Sequence, residues 1–342
     1  MSKKYLGYVF DDEIFNETWA EEPDPVRLAM LDSGAMVHDA TIASMISDKG
    51  NIYTIPFYNT LDDEEEEFNY DGQTDIGISE STSGSQTGVV FGRSKGWYRR
   101  NFITELSGDD PMSHIAKSVG RWWNKKNQMR LIKLTDTMFS VTGDADWKKH
   151  KVNLATTSGS VASDNKLDIA TGRDVLVAAN GDNADIYSLA IMHSVVANNL
   201  AKLGQLEFWK QTDANGVEKP LKLGSYNGLT VVIDDGVPVK ASTSATGQME
   251  YTTYFLGGGV IRTADGKVEY PSEVRRDPAK NGGQDELYTR IRRTYHFNGF
   301  SFKIPTTGWT ESPTDPQLFD KNHWELKFPA KSIAAARVIT NG

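Results

Sequence analysis

From Asn51 onward the chain alternates: Ile52, Thr54, Pro56 and Tyr58 fall on one side of an extended segment, and Tyr53, Ile55 and Phe57 on the other. That period of two predicts a strand, and Pro56, which has no N–H to give to a ladder, places it at a sheet edge. The run Val89, Val90 and Phe91, ending near Trp97, reads as its hairpin partner. Between the two lie about thirty mostly polar residues, a length that is rare for a connection with no structure of its own. They include the acidic run Asp62 to Glu67 and a flexible segment from Ser79 to Gly88. So long a polar hairpin has no core and needs a neighbouring surface to lie on.

The clearest helix follows. Asp109 and Asp110 stand where a helix N-terminus favours negative charge, and Pro111 suits the first helical position, where its missing N–H costs nothing. No proline intervenes before Phe139, and Gly120 is the only glycine. At 1.5 Å per residue this is a rod of roughly 40 Å. Ile115, Val119, Trp122 and Met129 recur at spacings of three, four and seven and, with Trp123, predict the packing stripe. Lys117, Arg121 and Lys125 form an i, i+4 row on another side, continued by Lys126, Arg130 and Lys133.

Elsewhere the pattern is mixed. Residues 1–48 alternate short apolar and acidic pieces, such as Asp11 to Glu13 and Glu21 to Asp24, and read as an extended arm with one or two short helices. Asp182 or Asn183 can cap a helix to about Leu203, with Ile186, Leu189, Val196, Leu200 and Leu203 buried and Gly204 ending it. Strands are expected at Thr230 to Ile233, closed by an Asp235-Gly236 turn, at Tyr251 to Leu256, and at Val260 to Arg262. Leu287 to Tyr295 and Phe300 to Ile304 flank Asn298-Gly299, the strongest hairpin signal in the chain. The fold class is α+β, and no internal repeat is visible.

Composition narrows the function more by exclusion than by assignment. The 342 residues are 38% hydrophobic and 24% charged, enough for one large core or two smaller ones. The most apolar stretch, Tyr187 to Ala201, is interrupted by Ser188, His193, Ser194, Asn198 and Asn199 and falls short of the roughly 18 apolar residues of a membrane span. Asp11, Asp12 and Glu13 end the first apolar run before a signal-peptide core could form. There is no cysteine, hence neither disulfide nor thiolate-bound zinc. A net charge of -9 argues against a protein whose main task is to grip nucleic acid, so any such contact must be local.

Catalytic motifs are missing. Lys267 is followed by Val268 and position 261 is Ile, which fails the phosphate-loop pattern. Gly257 to Gly259 lies between strands and reads as a close backbone approach or bulge. Asp234 and Asp235 could hold magnesium or serve as paired carboxylates of a hydrolase, but a solvated turn is the plainer reading. The six histidines are scattered without ligand spacing, and His193 reads as a hydrogen-bonded core residue. No cofactor is expected. The acids Asp62, Asp63, Glu64, Glu65, Glu66 and Glu67 are either a solvated loop or a docking element for a basic patch on a neighbour, which Arg275, Arg276, Arg290, Arg292 and Arg293 could supply. The helix row Lys117, Arg121 and Lys125 is either a solvated face or a contact for DNA phosphates.

The order of short structural motifs adds a resemblance. The stretch Leu31, Ser33-Gly34, Gly50, Ile55-Pro56-Phe57 and Leu61 resembles the start of the tailed-phage coat proteins. Ser107-Gly108-Asp109-Asp110-Pro111-Met112, followed by Ile115-Ala116, Val119-Gly120, Trp123, Gln128 and Phe139, is similar to that family's long helix. Met192-His193-Ser194 with Leu200, Tyr226-Asn227-Gly228-Leu229 with Val232, and Tyr251 to Tyr254 with Gly257 continue the series. Arg276-Asp277-Pro278, Gly282-Gly283, Asp285, Arg290, His296 and Gly299-Phe300-Ser301-Phe302 extend it to about residue 305.

The resemblance implies the Hong-Kong-phage-type capsid fold, shared with encapsulins. Its parts would be an N-terminal arm (1–48), an extended hairpin loop (49–104), a spine helix (109–140), an axial domain (181–264) and a peripheral domain (141–180 and 265–342). It implies a non-enzymatic major capsid protein assembling through hexamers and pentamers into an icosahedral head around double-stranded DNA. A scaffolding protein and a portal would be partners, with assembly in the bacterial cytoplasm and a final place in the virion. The same fold as an encapsulin-like compartment shell is the alternative.

Overall fold

The computed structural model describes residues 3–5, 8–10, 30–31, 33–47, 50–58, 69–70, 75, 82–101, 111–156, 160–212, 218–242 and 248–342. In chain order the first elements are β1 (Lys3–Tyr5), β2 (Tyr8–Phe10), β3 (Met36–His38), α1 (Ala40–Ser47), β4 (Ile52–Tyr58), β5 (Ser83–Val89), β6 (Phe91–Arg100) and α2 (Pro111–Ser140). Then come β7 (Lys151–Asn153), α3 (Ile169–Asn180), β8 (Tyr187–Met192), α4 (Ser194–Lys202), β9 (Glu207–Thr212), β10 (Glu218–Tyr226), β11 (Leu229–Ile233), β12 (Val239–Ala241) and β13 (Met249–Gly257). The last are β14 (Ile261–Asp265), β15 (Ser272–Asp277), β16 (Gln284–Phe297), β17 (Phe300–Phe302), α5 (Asp315–Leu318), β18 (Trp324–Leu326) and β19 (Ala335–Thr340).

An eight-stranded mixed sheet runs β7-β19-β13-β8-β11-β10-β9, with β12 on the end of β13. At its centre β8 lies between β13 and β11, and Leu189, Ala190, Ile191 and Met192 are all buried. Here the structure corrects the helix expected from Asp182 to Leu203. A 3-10 turn (Gly181–Ile186) leads into β8, and only Ser194–Lys202 is α-helical, leaving Ile186 and Leu203 exposed. A segment buried on both faces carries no period, so an apolar run beside a true helix mimics one longer helix. Helix α3, not anticipated, is announced by Asp168 and Thr171, which form its capping box, and buries Gly172, Val175, Leu176 and Ala179.

The second sheet is built on the fourteen-residue strand β16. β15 and β14 pair with successive halves of one edge, β3 extends β14, and β6 takes the other edge from Arg293↔Phe91 to Gln284↔Arg100. The hairpin expectation is thereby corrected. The partner of β4 is β5, in register Ile52↔Val89 to Tyr58↔Ser83, and Phe91 to Trp97 belongs to the second sheet. The glycines that suggested flexibility are what the pairing requires. A Cβ on Gly88 would stand 2.1 Å from the Tyr53 ring, and one on Gly84 2.5 Å from the Phe57 ring, so each ring lies over the glycine opposite.

Two further expectations change. Asn298-Gly299 does turn, with Gly299 at φ +89°, but β17 pairs with β18 and not with β16. The end of β16 is already bonded to β14, and Asn298 N donates to Val260 O (2.8 Å). A two-residue hairpin turn is formed instead by Asn227-Gly228 between β10 and β11, where both φ are positive as a type I′ turn demands. The domain boundaries also shift. β7 and β19, from the segments assigned to the peripheral domain, extend the sheet that holds 187–257, whereas β14 (261–265) joins the sheet of β16. β19 sits between β7 and β13 with Ala335, Ala336 and Val338 buried, so the C-terminal segment completes a core laid down earlier in the chain.

Helix α2 spans both sheets. Near its start Val119 and Trp123 are buried with Leu287 of β16, and Trp97 packs edge-on to Trp122 at 5.4 Å. Toward its end Leu131, Ile132, Leu134, Met138 and Phe139 enter the main core, where Phe139 stacks on Trp147 and Tyr254. Of the predicted packing stripe, Met129 is corrected: it is 38% exposed and falls in line with Arg121, Lys125 and Lys133. Arg130 moves the opposite way. It is buried, lies over the Phe91 ring, and shares Asp315 with Arg93. The helix rotates its buried stripe along its length because its two halves face different sheets.

Trp123 is 2% exposed, and its Nε1–H donates to Thr289 Oγ1 at 2.9 Å. Trp123→Asp removes a side chain whose loss costs about 3–5 kcal/mol and adds a buried charge. We expect no cooperative thermal transition and no soluble subunit, checked by calorimetry and by the soluble fraction on expression.

Candidate assembly surfaces

The base of the β4–β5 hairpin is clamped to the second sheet by polar side chains that are themselves buried. Thr294 Oγ1 donates to Val89 O (2.8 Å) and accepts from Tyr53 OH (2.8 Å). His296 Nε2–H donates to Gln86 Oε1 (3.0 Å), which also accepts from Gly299 N (2.9 Å). Thr87 N donates to Ser301 Oγ (3.0 Å), and the Phe57 ring meets Phe328 edge-on at 4.7 Å. Alternation along β16 points Thr294 and His296 to the same face, and β4 and β5 supply their partners. Burial raises the Tyr53 phenol and pushes the His296 imidazole down to about 4, the latter assisted by Arg262. Above this base the hairpin exposes Tyr58 (84%), and Tyr70 is 91% exposed. The acidic run Asp62 to Glu67 lies outside the described residues.

The arginines expected as its receptor divide. Arg292 donates to Gly50 O (2.9 Å), Asn51 Oδ1 (2.9 Å) and Lys267 O (3.1 Å). Arg293 is paired with Asp265, and Arg290 with Glu273 and with Tyr270 O. These three line a groove of about 360 Å³ with Trp123, Asn127 and Ile291, between α2 and the β14–β15 connection. Arg275 and Arg276, on edge strand β15, are exposed, and Arg275 approaches Asp277 only to 3.9 Å. The structure therefore does not gather the five into one open patch.

The basic row on α2 faces solvent at Arg121, Lys125 and Lys133; the Lys117 side chain lies outside the described set. Lys126 Nζ sits over the Trp122 ring (5.6 Å) and Lys133 Nζ over the Phe319 ring (5.8 Å), so each ammonium rests on an aromatic face. From Pro111 to Thr135 the helix contains no acidic residue.

No family model matches the sequence. The major capsid protein of Bacillus phage SPP1 is 26% identical over 310 residues, covering 89% of this chain and 88% of that relative. In fold, the chain is similar to the capsid of Ralstonia phage GP4, with a TM-score of 0.57 at 9% identity, covering 90% of this chain and 86% of that one. It is likewise similar to the capsid asymmetric unit of cyanophage Pam1, with a TM-score of 0.51 at 10% identity and 87% of both chains covered.

Together these likenesses support a shell-forming major capsid protein. The compartment-shell alternative is not favoured by these relatives. Asp234 and Asp235 are occupied as local acceptors. Asp234 takes Gln128 Nε2 (2.5 Å) and Gly236 N (2.8 Å). Asp235 takes Ser194 N (3.1 Å) at the start of α4 and lies 3.6 Å from His193 Nε2. His193 itself caps α4, its Nδ1 accepting from Val195 N, and is only partly buried. Among the described residues no group of three or more His, Asp or Glu could hold a metal ion. Gly257 is a close approach as expected, since a Cβ there would lie 2.5 Å from Ile186 O.

Sequence reading missed Gln86, Thr294 and His296 as the hairpin clamp. Their one signal was polar residues alternating with apolar ones at the end of β16.

The clamp is pH-sensitive. His296 Nδ1 has no partner, so a proton taken up there would be buried without an acceptor. Between the ordinary imidazole value of 6.5 and about 4 the unfolded chain binds a proton that the folded one refuses. Stability from this residue is complete above that window and falls as pH drops through it. We expect His296→Gln, which keeps a donor for Gln86, to lose about 2 kcal/mol less than the parent between neutrality and mild acid, read by urea titration of free subunits.

Proposed function

We propose that copies of this chain close through hexamers and pentamers into the icosahedral head that encloses phage double-stranded DNA, with a scaffolding protein and a portal as assembly partners in the host cytoplasm. One observation carries the reading: a hairpin locked at its base by buried side chains forms a two-stranded sheet of its own and ends at the exposed Tyr58. An isolated two-stranded ribbon is marginal in water; the clamp supports its base, and the polar stretch beyond takes its stability from another molecule. In a ring of identical subunits that molecule is the next copy, met through a head-to-tail interface.

The parts follow from the sheets. The eight-stranded sheet with α3 and α4 serves as the axial domain, the β16 sheet with α2 along it as the peripheral domain and spine, the part of 49–104 ahead of β6 as the extended loop, and 1–48 as the arm. The acid-free face of α2, with Lys117, Arg121 and Lys125, faces the lumen. There it offsets the repulsion between an acidic wall and DNA phosphates without reading sequence. Chemistry is done by none of these surfaces.

Electron microscopy of the overexpressed protein, alone and with its scaffold, is the direct test; closed particles are expected, and persistent monomers at high concentration would refute the reading. Deleting Asp62 to Glu67 should leave the melting curve of the subunit unchanged while reducing particle yield on the order of tenfold, about 1.4 kcal/mol per contact. Unchanged yield would mean that the run is a solvated loop.

A further inference from the structure

The described structure leaves one long strand edge without a partner. β6 is ten residues long and hydrogen-bonds to β16 on one side only. Which of its amides point outward follows from the ladder. Asn101 N donates to Gly283 O, so in the antiparallel alternation 99, 97, 95 and 93 bond inward, and 100, 98, 96, 94 and 92 present N–H and C=O outward. Gly92 verifies the phase: its outward N–H is taken by Ser312 Oγ (3.0 Å) and its O by Arg93 Nη1. From Ser94 to Arg100, roughly 20 Å of edge, no such cover exists among the described residues, and Ser94, Lys95, Gly96, Tyr98 and Arg100 are exposed.

Such an edge is a template for strand addition unless blocked. Small residues at Ser94 and Gly96 leave it open. Its charge selects the partner: Lys95 and Arg100 are exposed, while Arg99 is committed to Asp285 at 2.9 Å. Two β6 edges from two copies would bring like charges together, which disfavours self-pairing. An acidic extended segment is favoured.

We propose that the outer edge of β6, from Ser94 to Arg100, takes the segment Asp62–Glu67 of a second copy as an added strand. The run is of matching length, supplies six carboxylates, and is bracketed in sequence by the exposed Tyr58 and Tyr70, which can reach the exposed Tyr98. This rests on the shell reading and deepens it by naming where the loop docks, in place of the arginines of β16 that are paired within their own chain.

The test measures hydrogen exchange of the peptide Arg93–Arg100 in free subunits and in assembled particles. Protection rising about tenfold or more on assembly, from outward amides that gain acceptors, is expected. Particles that form with exchange unchanged there overturn the proposal and leave the shell reading intact. No particles under any condition overturns both. Because the chain has no cysteine, differently tagged subunits carrying Ser94→Cys and, separately, Glu64→Cys, Glu65→Cys or Glu66→Cys can be co-assembled and oxidised. A disulfide joining the two tags is expected for at least one pair; its absence for all three removes the acidic run as the occupant. Ser94→Pro, which deletes an outward N–H at an exposed position, should keep the parental melting curve and lose assembly; normal assembly would count against strand addition.

Discussion

Burial of α2 against two sheets at once is the constraint on which the architecture depends. Neither sheet contacts the same turns of the helix: Trp123 and Val119 close on β16, whereas Phe139 and Met138 close on Trp147, Tyr254 and β8. Between these grips the helix passes Arg130, which with Arg93 converges on Asp315 of the C-terminal segment. Burial alone would raise the Asp315 carboxyl, but the two guanidiniums hold it below the usual range, so it stays charged between them. At the far end Asp136 accepts from Tyr254 OH and Arg337, tying the helix to β13 and β19. A helix held at both ends ties the two sheets to each other.

Polar burial is concentrated where an extended element must be fixed but not absorbed. The hairpin base is held by Tyr53, Gln86, Thr294 and His296, directional groups that set angle and register, over a small cluster of Ile42, Ile46, Val90 and Ala264. A larger apolar contact would draw the ribbon down onto its own subunit. Hydrogen bonds between buried partners cost dearly if broken one at a time, so the base stays fixed. That division suits a protein whose remaining burial is completed by its copies.

Charge is likewise segregated. The chain is acidic overall, yet α2 carries only basic charge from Lys117 to Lys133, and β6 presents Lys95 and Arg100 on an open edge. The arginines of β16 show why counting residues is a poor guide to a binding patch. Arg290, Arg292 and Arg293 recur along one strand, and each is used to anchor a connection of its own chain.

Local chemistry determined what is legible in the sequence. The span of α2, the edge character of β4 through Pro56, the Asp234–Gly236 turn and the tight approach at Gly257 follow from period, proline, turn residues and the missing Cβ, and the succession of motifs led to the capsid fold. What required the tertiary structure was decided between distant segments. Tyr187–Met192 is a strand only because β11 and β13 flank it. Asn298-Gly299 opens no hairpin because β14 already holds the end of β16. Ser83–Val89 is a strand because Tyr53 and Phe57 cover its glycines, and Met129 faces water because α2 turns from one sheet to the other. Residue patterns fix what a segment can bury; only the partner brought to it by the rest of the chain fixes which face, and which edge, is left for another molecule.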